Sequence, residues 1–289
     1  MQQTIINQDL ISAEEYNLLM GAKPLTPELI TVAYSDRPYI FDLVRRENIE
    51  YRYINGSCED RAHYICLLLQ NQGLTVGKIW NFAPARYTFL SNELFEITDP
   101  FGISKNVTWG YHVAPYIQSY NEFGLVESLI IDQSLSPDCF MTANEWLEKM
   151  NCPQAIHLYT DADSYLFNSI FGYVGYTPYS YETYYNTPLD IPSIITGNFW
   201  NLFPGDDYVQ KGLAINDLAI EIYNFKQYLT KSEHDFLNEA LNNIDEVIKL
   251  TATAKPDELS QHTYDHLIQC YFERSIHWGN KINNLLVIR

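Results

Sequence analysis

Between Asn55 and Gly73 the apolar positions Ala62, Ile65, Cys66 and Leu69 recur at i, i+3, i+4 and i+7. That spacing predicts a helix with one buried stripe, ended by Gly73. From Val76 to Ile131 the period falls to two. Short alternating runs at 78–82, 111–117 and 125–131 predict strands, with a turn over Asn121 to Gly124. Helical periodicity returns at 215–229, 232–250 and 258–286, and Lys255 with Pro256 separates the last two runs. Near the start, Ser12 with Glu15 three residues on forms a capping-box pattern, so short helices are expected between 8 and 50. Tyr165 to Pro192 is rich in Tyr, Gly, Pro, Ser and Thr with no sustained period, which predicts an irregular surface wrap. The expected fold class is α+β, with a helical lead-in at 1–50, a mixed domain at 51–190 and an α-helical domain or cap at 191–289.

Composition narrows the function classes. With 289 residues and 46% hydrophobic content the chain can bury a core without disulfides or metal. Lys+Arg number 18 against 36 Asp+Glu, a net charge of −18, so neither nucleic acid nor an anionic membrane surface is an expected partner. Met1 to Leu10 has no basic segment and no apolar run, so no signal peptide and no membrane span are expected. The setting read from this is cytoplasmic, or delivery by a route the sequence does not show. Five cysteines at scattered spacing argue against a disulfide framework or a zinc site. His262 and His266 stand at i, i+4 without acidic or cysteine ligands at a supporting spacing, so no metal is expected, and no cofactor. The 23 tyrosines, dense over Tyr173 to Tyr185, supply amphipathic surface, or simply fill core and loops.

Candidate chemistry starts at Cys58. It follows Asn55, Gly56 and Ser57 at the head of the predicted helix, where unpaired amides and the helix dipole favour a thiolate. Cys66 lies in the apolar stripe and is expected to be an inert core thiol. His112 sits on a predicted strand that Pro115 should confine to an edge or an end. A hairpin centred near residue 122 would put Asp132 directly opposite His112, within hydrogen-bond reach. A carboxylate so placed fixes one imidazole tautomer and leaves the other nitrogen to take the thiol proton. Backbone amides around Cys58 are the expected oxyanion donors, with Ser57, Glu59 and Trp109 the other candidates for the oxyanion or substrate. Trp109 has plain packing beside His112 as its simpler role. Glu59 and Asp60 also read as first-turn acids, and Arg61 as a solvated or packing residue.

Three blocks carry a resemblance: Gly56 to His63 (GSCEDRAH), Trp109 to Ala114 (WGYHVA) and Ile130 to Leu135 (IIDQSL). Over roughly 40–170 the chain resembles bacterial protein-glutaminases, whose core is of the papain and transglutaminase type. The resemblance implies a nucleophilic Cys58, a basic His112 and an orienting Asp132, acting on glutamine in a protein or peptide. Gln133 departs from the family's usual proline. The helical C-terminal part has no counterpart in it and is read as a substrate holder, a cap, or a surface for a partner or for self-association. Transfer to an amine, peptide cleavage, or a binding module with a vestigial triad are the rival readings.

Overall fold

The computed structural model describes residues 27–88, 90–105, 107–164 and 206–286. The Ser12 capping box, most of the lead-in before residue 27, the wrap at 165–192 with Tyr173 to Tyr185, and the boundary near 190 lie outside the described residues. The elements are α1 (Arg37–Arg46), α2 (Cys58–Asn71), β1 (Gly77–Phe82), β2 (Phe95–Ile97), β3 (Val107–Trp109), β4 (Tyr111–Tyr120), β5 (Val126–Ile130), β6 (Met141–Thr142), α3 (Ala143–Met150) and β7 (Ile156–Asp161). They are followed by α4 (Asp206–Phe225), α5 (Lys231–Ala240), α6 (Ile244–Ala252) and α7 (Gln261–Leu286).

The class is α+β, with the cysteine-bearing helix on an antiparallel sheet, as the periodicities predict. The five-stranded sheet runs β6-β5-β4-β1-β7, and β2 pairs with β3 in a separate ribbon. Apolar side chains cover both of its faces. Val113 and Ile117 join the cluster that holds α2, while Ala114 and Tyr116 join Trp146 and Met150 of α3. This alternation follows from the two-residue period of a strand. The sheet is thus the middle layer of the molecule.

Three expectations change. β4 is the central strand rather than an edge, despite Pro115. The Pro115 carbonyl accepts from Ile131 N at 3.0 Å, just past the last β4–β5 pair, so the missing N–H falls where the ladder already ends. The hairpin pairs Tyr120 with Val126 and Tyr116 with Ile130, centring it on residue 123 and shifting the register by two residues. The Asn121 side chain sets this longer tip by accepting from Phe123 N and Leu125 N. Finally, 232–250 is two helices: Asn243 caps α6 by accepting from Asp245 N at 2.9 Å, which breaks the run.

Helix α2 is central. It closes with a Schellman pair, Gly73 N to Gln70 O and Leu74 N to Leu69 O, with Gly73 at φ 75°. Every residue from Glu59 to Leu69 is buried, where one stripe was expected. The second face is covered by the C-terminal helices. Leu213, Leu218, Ile248, Trp278 and Ile282 share one cluster with Leu67, Leu68 and Tyr64, and Tyr64 packs edge-on to Trp278 at 5.2 Å. The apolar run of α2 from Ile65 to Leu69 presents no polar face, and neighbours enclose it on all sides.

The C-terminal helices are fastened to each other by Glu233. It completes a capping box with Thr230 at the start of α5 and also accepts from Ser260 N (3.1 Å) and Thr263 Oγ1 (2.7 Å) at the start of α7. These donors pull its carboxyl down to about 2. A depressed carboxyl contributes stability above its unfolded value, about 4.3, and loses it as pH falls through the folded one. Glu233→Gln is therefore expected to lower the urea midpoint at pH 6, with the gap to the parent narrowing between pH 4 and pH 2.

Candidate active site

Cys58 is the first residue of α2, preceded by Ser57 in the left-handed conformation (φ 56°, ψ 29°). A non-glycine residue there costs backbone free energy, on the order of 1–3 kcal/mol, and such strain clusters at functional sites. The turn is held by Arg61, which donates to Gly56 O at 2.9 Å. Arg61 is a buried structural cation rather than a solvated one. Ser57 itself is fully buried, and its hydroxyl has no partner among the described residues.

His112, near the start of β4, is 2% exposed, and its Nε2 meets Asp132 Oδ2 at 2.7 Å. Asp132 is not on the strand. It stands two residues beyond β5, so the side chains meet across the end of the ladder rather than as a pair within it. A two-residue register shift keeps each strand's side chains on their faces, which is why the contact survives where a one-residue slip would abolish it.

The Asp132 oxygens are saturated. Oδ2 also accepts from Trp146 Nε1 at 2.8 Å, and Oδ1 accepts from Ser134 N at 3.1 Å and from the Ser134 hydroxyl. Burial alone would raise this carboxyl, but His112 beside it and these hydrogen bonds hold it well below the usual carboxylate range. Trp109 stacks on the imidazole at 4.2 Å between ring centres, and Trp146 lies at 5.5 Å. The Trp109 indole N–H is occupied by Ile54 O at 2.8 Å, so it presents its ring face rather than a donor.

The thiol environment differs from the expectation for a helix N-terminus. Burial pushes the Cys58 thiol well up, and the Glu59 carboxylate adds to this, whereas Arg61 and the Val113 amide pull the other way. Cys58 Sγ lies 3.4 Å from Glu59 Oε2. Desolvation outweighs the helix dipole here. Cys66, as expected, is buried core.

Cys58 and His112 border two cavities in common. One, about 20 Å³, also touches Asp132 and Gln133 and has room for about one water. The other is a cleft of about 380 Å³. Its walls include Glu59, Arg86, Trp109 and Tyr111, and on the far side Asn242, Asn243, Ile244 and Asp245. The turn between α5 and α6 therefore lines the same cleft as Cys58. It is pinned there from the sheet side: Asn55 Nδ2 and Ser104 Oγ donate to Leu241 O at 3.2 and 2.8 Å, and Lys105 N donates to Asn242 Oδ1 at 2.8 Å. A Cβ on Gly56 would fall 1.9 Å from Ile244 Cδ1 and 3.0 Å from its Cγ1. Gly56→Ala is expected to cost about 1–3 kcal/mol of unfolding free energy by overpacking. Ile244→Val in the same chain should return part of the loss in a urea titration.

Residues 34–150 match a family model described as glutaminase. This segment belongs to the glutaminase family. The glutaminase-family segment spans Cys58, His112 and Asp132 and takes in less than half of the 289 residues. Among curated proteins, no sequence matches the chain. Among solved structures, the chain is similar to a protein-glutaminase crystal structure at 22% identity, TM-score 0.39, over 50% of this chain and 80% of that one. It is similar to the solution structure of protein-glutaminase from Chryseobacterium proteolyticum at 20% identity, TM-score 0.38, over 48% and 76%. A pro-protein-glutaminase crystal structure matches at 21% identity, TM-score 0.39, over 53% and 58%.

Sequence reasoning did not find Trp146, Ser134, Arg86 or the 242–245 turn. The Asn242–Asn243 pair before Ile244 was the one available signal for the turn, since tandem asparagines break helices and cap them. Trp146 and Arg86 carry no local pattern. Of the histidine pair, His266 Nε2 meets Glu221 at 2.8 Å, and no group of three or more metal-ligating side chains occurs among the described residues.

Proposed function

We propose that this chain deamidates glutamine side chains in proteins or peptides, with Cys58, His112 and Asp132 as nucleophile, base and orienting acid. The observation that carries the reading is a cysteine at a helix start and a carboxylate-held imidazole lining one cleft, within a glutaminase-family segment. With Nε2–H donated to Asp132, the imidazole keeps Nδ1 as its basic nitrogen.

His112 takes the thiol proton as Cys58 attacks the carboxamide carbon, since desolvation and Glu59 favour the protonated thiol. The carbonyl oxygen gains negative charge, for which the amides at the head of α2, lacking acceptors within the helix, are the donors. His112 then returns the proton to nitrogen, the C–N bond breaks, and ammonia leaves a thioester on Cys58. Water attacks that thioester, His112 accepts its proton, and the C–S bond breaks to give glutamate and the restored thiol. Amide plus water thus becomes acid plus ammonia, and protein side chains suffice for each proton.

The test is ammonia release from matched glutamine and asparagine peptides, a glutamine-bearing protein and free glutamine, with Cys58→Ser as control. Conversion of peptide-bound glutamine to glutamate, unchanged by an added primary amine, supports hydrolysis. Incorporation of the amine would make the chain an acyltransferase, and peptide fragments would make it a protease.

A further inference from the structure

The mechanism above leaves unused the charged groups that line the cleft, Glu59, Arg86 and Asp245, of which Glu59 adjoins Cys58 in the chain. Glu59 is 1% exposed, lies beside the nucleophile and lines the cleft with Cys58 and His112. Its two oxygens are not equivalent. Oε2 takes the Cys58 thiol at 3.4 Å, while Oε1 is buried with no hydrogen-bond partner among the described residues. A buried acceptor left without a donor costs about 1–3 kcal/mol, and a first-turn acid has no packing need to sit there. Tyr111 of β4 and the Glu59 amide lie near the same carboxyl, and Arg61 and Lys78 are the cations facing it.

We propose that Glu59 reads the NH₂ group of the glutamine carboxamide, its oxygens accepting substrate N–H where one now holds the thiol and the other holds nothing. This rests on the glutaminase reading and names what the site selects: an unsubstituted primary amide. Such an amide has two N–H bonds, so one can point at Glu59 while the nitrogen lone pair receives the proton from His112. An ester offers no N–H, and a secondary amide has only one, with a carbon in place of the other. Binding of the amide also competes for Oε2 and so frees the thiol proton to move toward His112. The product carboxylate has no N–H to offer and meets Glu59 as a like charge when both are ionised, which favours its release.

The experiment compares one peptide carrying glutamine with the same peptide carrying glutamate γ-methyl ester, in the full chain and in Glu59→Leu and Glu59→Gln. The ratio of kcat/KM for amide over ester is expected to fall about 10- to 100-fold in Glu59→Leu, the range for a lost hydrogen bond to a charged group. Glu59→Gln keeps the shape and removes the charge beside the sulfur. Alkylation of Cys58 by iodoacetamide at pH 7.5, followed at the Cys58 peptide by mass spectrometry, is expected to speed up several-fold in that variant. An unchanged amide-to-ester ratio, or an alkylation rate that Glu59→Gln does not move, overturns the proposal. If the unaltered chain hydrolyses neither peptide, the glutaminase reading and the amide-reading role fall together. The alkylation rate then still shows whether Glu59 holds the thiol.

Discussion

Cys58→Ala is expected to release ammonia from peptide glutamine at least about 10⁴-fold more slowly than the parent, because the reaction loses its covalent intermediate and not merely a contact. The substitution removes one sulfur from a partly buried position and leaves Arg61, Ser57 and the α2 ladder in place. Thermal unfolding followed by circular dichroism should therefore shift little while activity disappears. Among the described residues, Cys58 is the one cysteine lining the cleft, whereas Cys139, Cys152 and Cys270 lie elsewhere. Retained ammonia release in Cys58→Ala would mean that the nucleophile has been misassigned.

Asp132→Asn carries the second large effect, a loss of about 10³- to 10⁴-fold in kcat/KM. Each Asp132 oxygen receives hydrogen bonds: His112 and Trp146 share Oδ2, while Ser134 gives its N–H and hydroxyl to Oδ1. An amide has one oxygen for these two sets. If its NH₂ turns to His112, the ring must accept at Nε2 and carry its proton on Nδ1, which removes the base. If the oxygen stays with His112, the NH₂ faces the Ser134 amide, donor against donor. Nitrogen-15 NMR of the imidazole would report the tautomer directly. Stability should follow the depressed carboxyl: the parent's advantage over Asp132→Asn is present above the unfolded value of about 3.9 and is lost as pH falls below it. A kcat/KM within about tenfold of the parent would reduce Asp132 to a structural role.

Much of this site was legible from residue patterns because its parts are local. Ser57, Cys58, Glu59 and Asp60 mark a helix start. Asn121 to Gly124 marks a turn, and the alternation on either side marks two strands. Register was less legible, since it depends on how Asn121 folds the tip, and the pairing moved by two residues while leaving each side chain on its face. Pro115 misled because its missing N–H matters only where a neighbour needs it, and the β5 pairing stops just before. The enclosure of α2 could not be read locally. Glu59, Asp60 and Arg61 look like a wet face, yet all three are buried, and α4 and α7 from far along the chain pack on the same helix. The thiol environment was no more legible, since burial reverses the sign that a helix end alone would give.

The turn at 242–245, nearly a hundred residues beyond the end of the family match, has a bearing on how this molecule can be cut or borrowed. A fragment ending at residue 150 would keep Cys58, His112 and Asp132, yet it would leave one side of the cleft open and strip the roof from its central helix. Transplanting the site to another scaffold would accordingly mean carrying the tail along, because side chains from both stretches share one hydrophobic cluster.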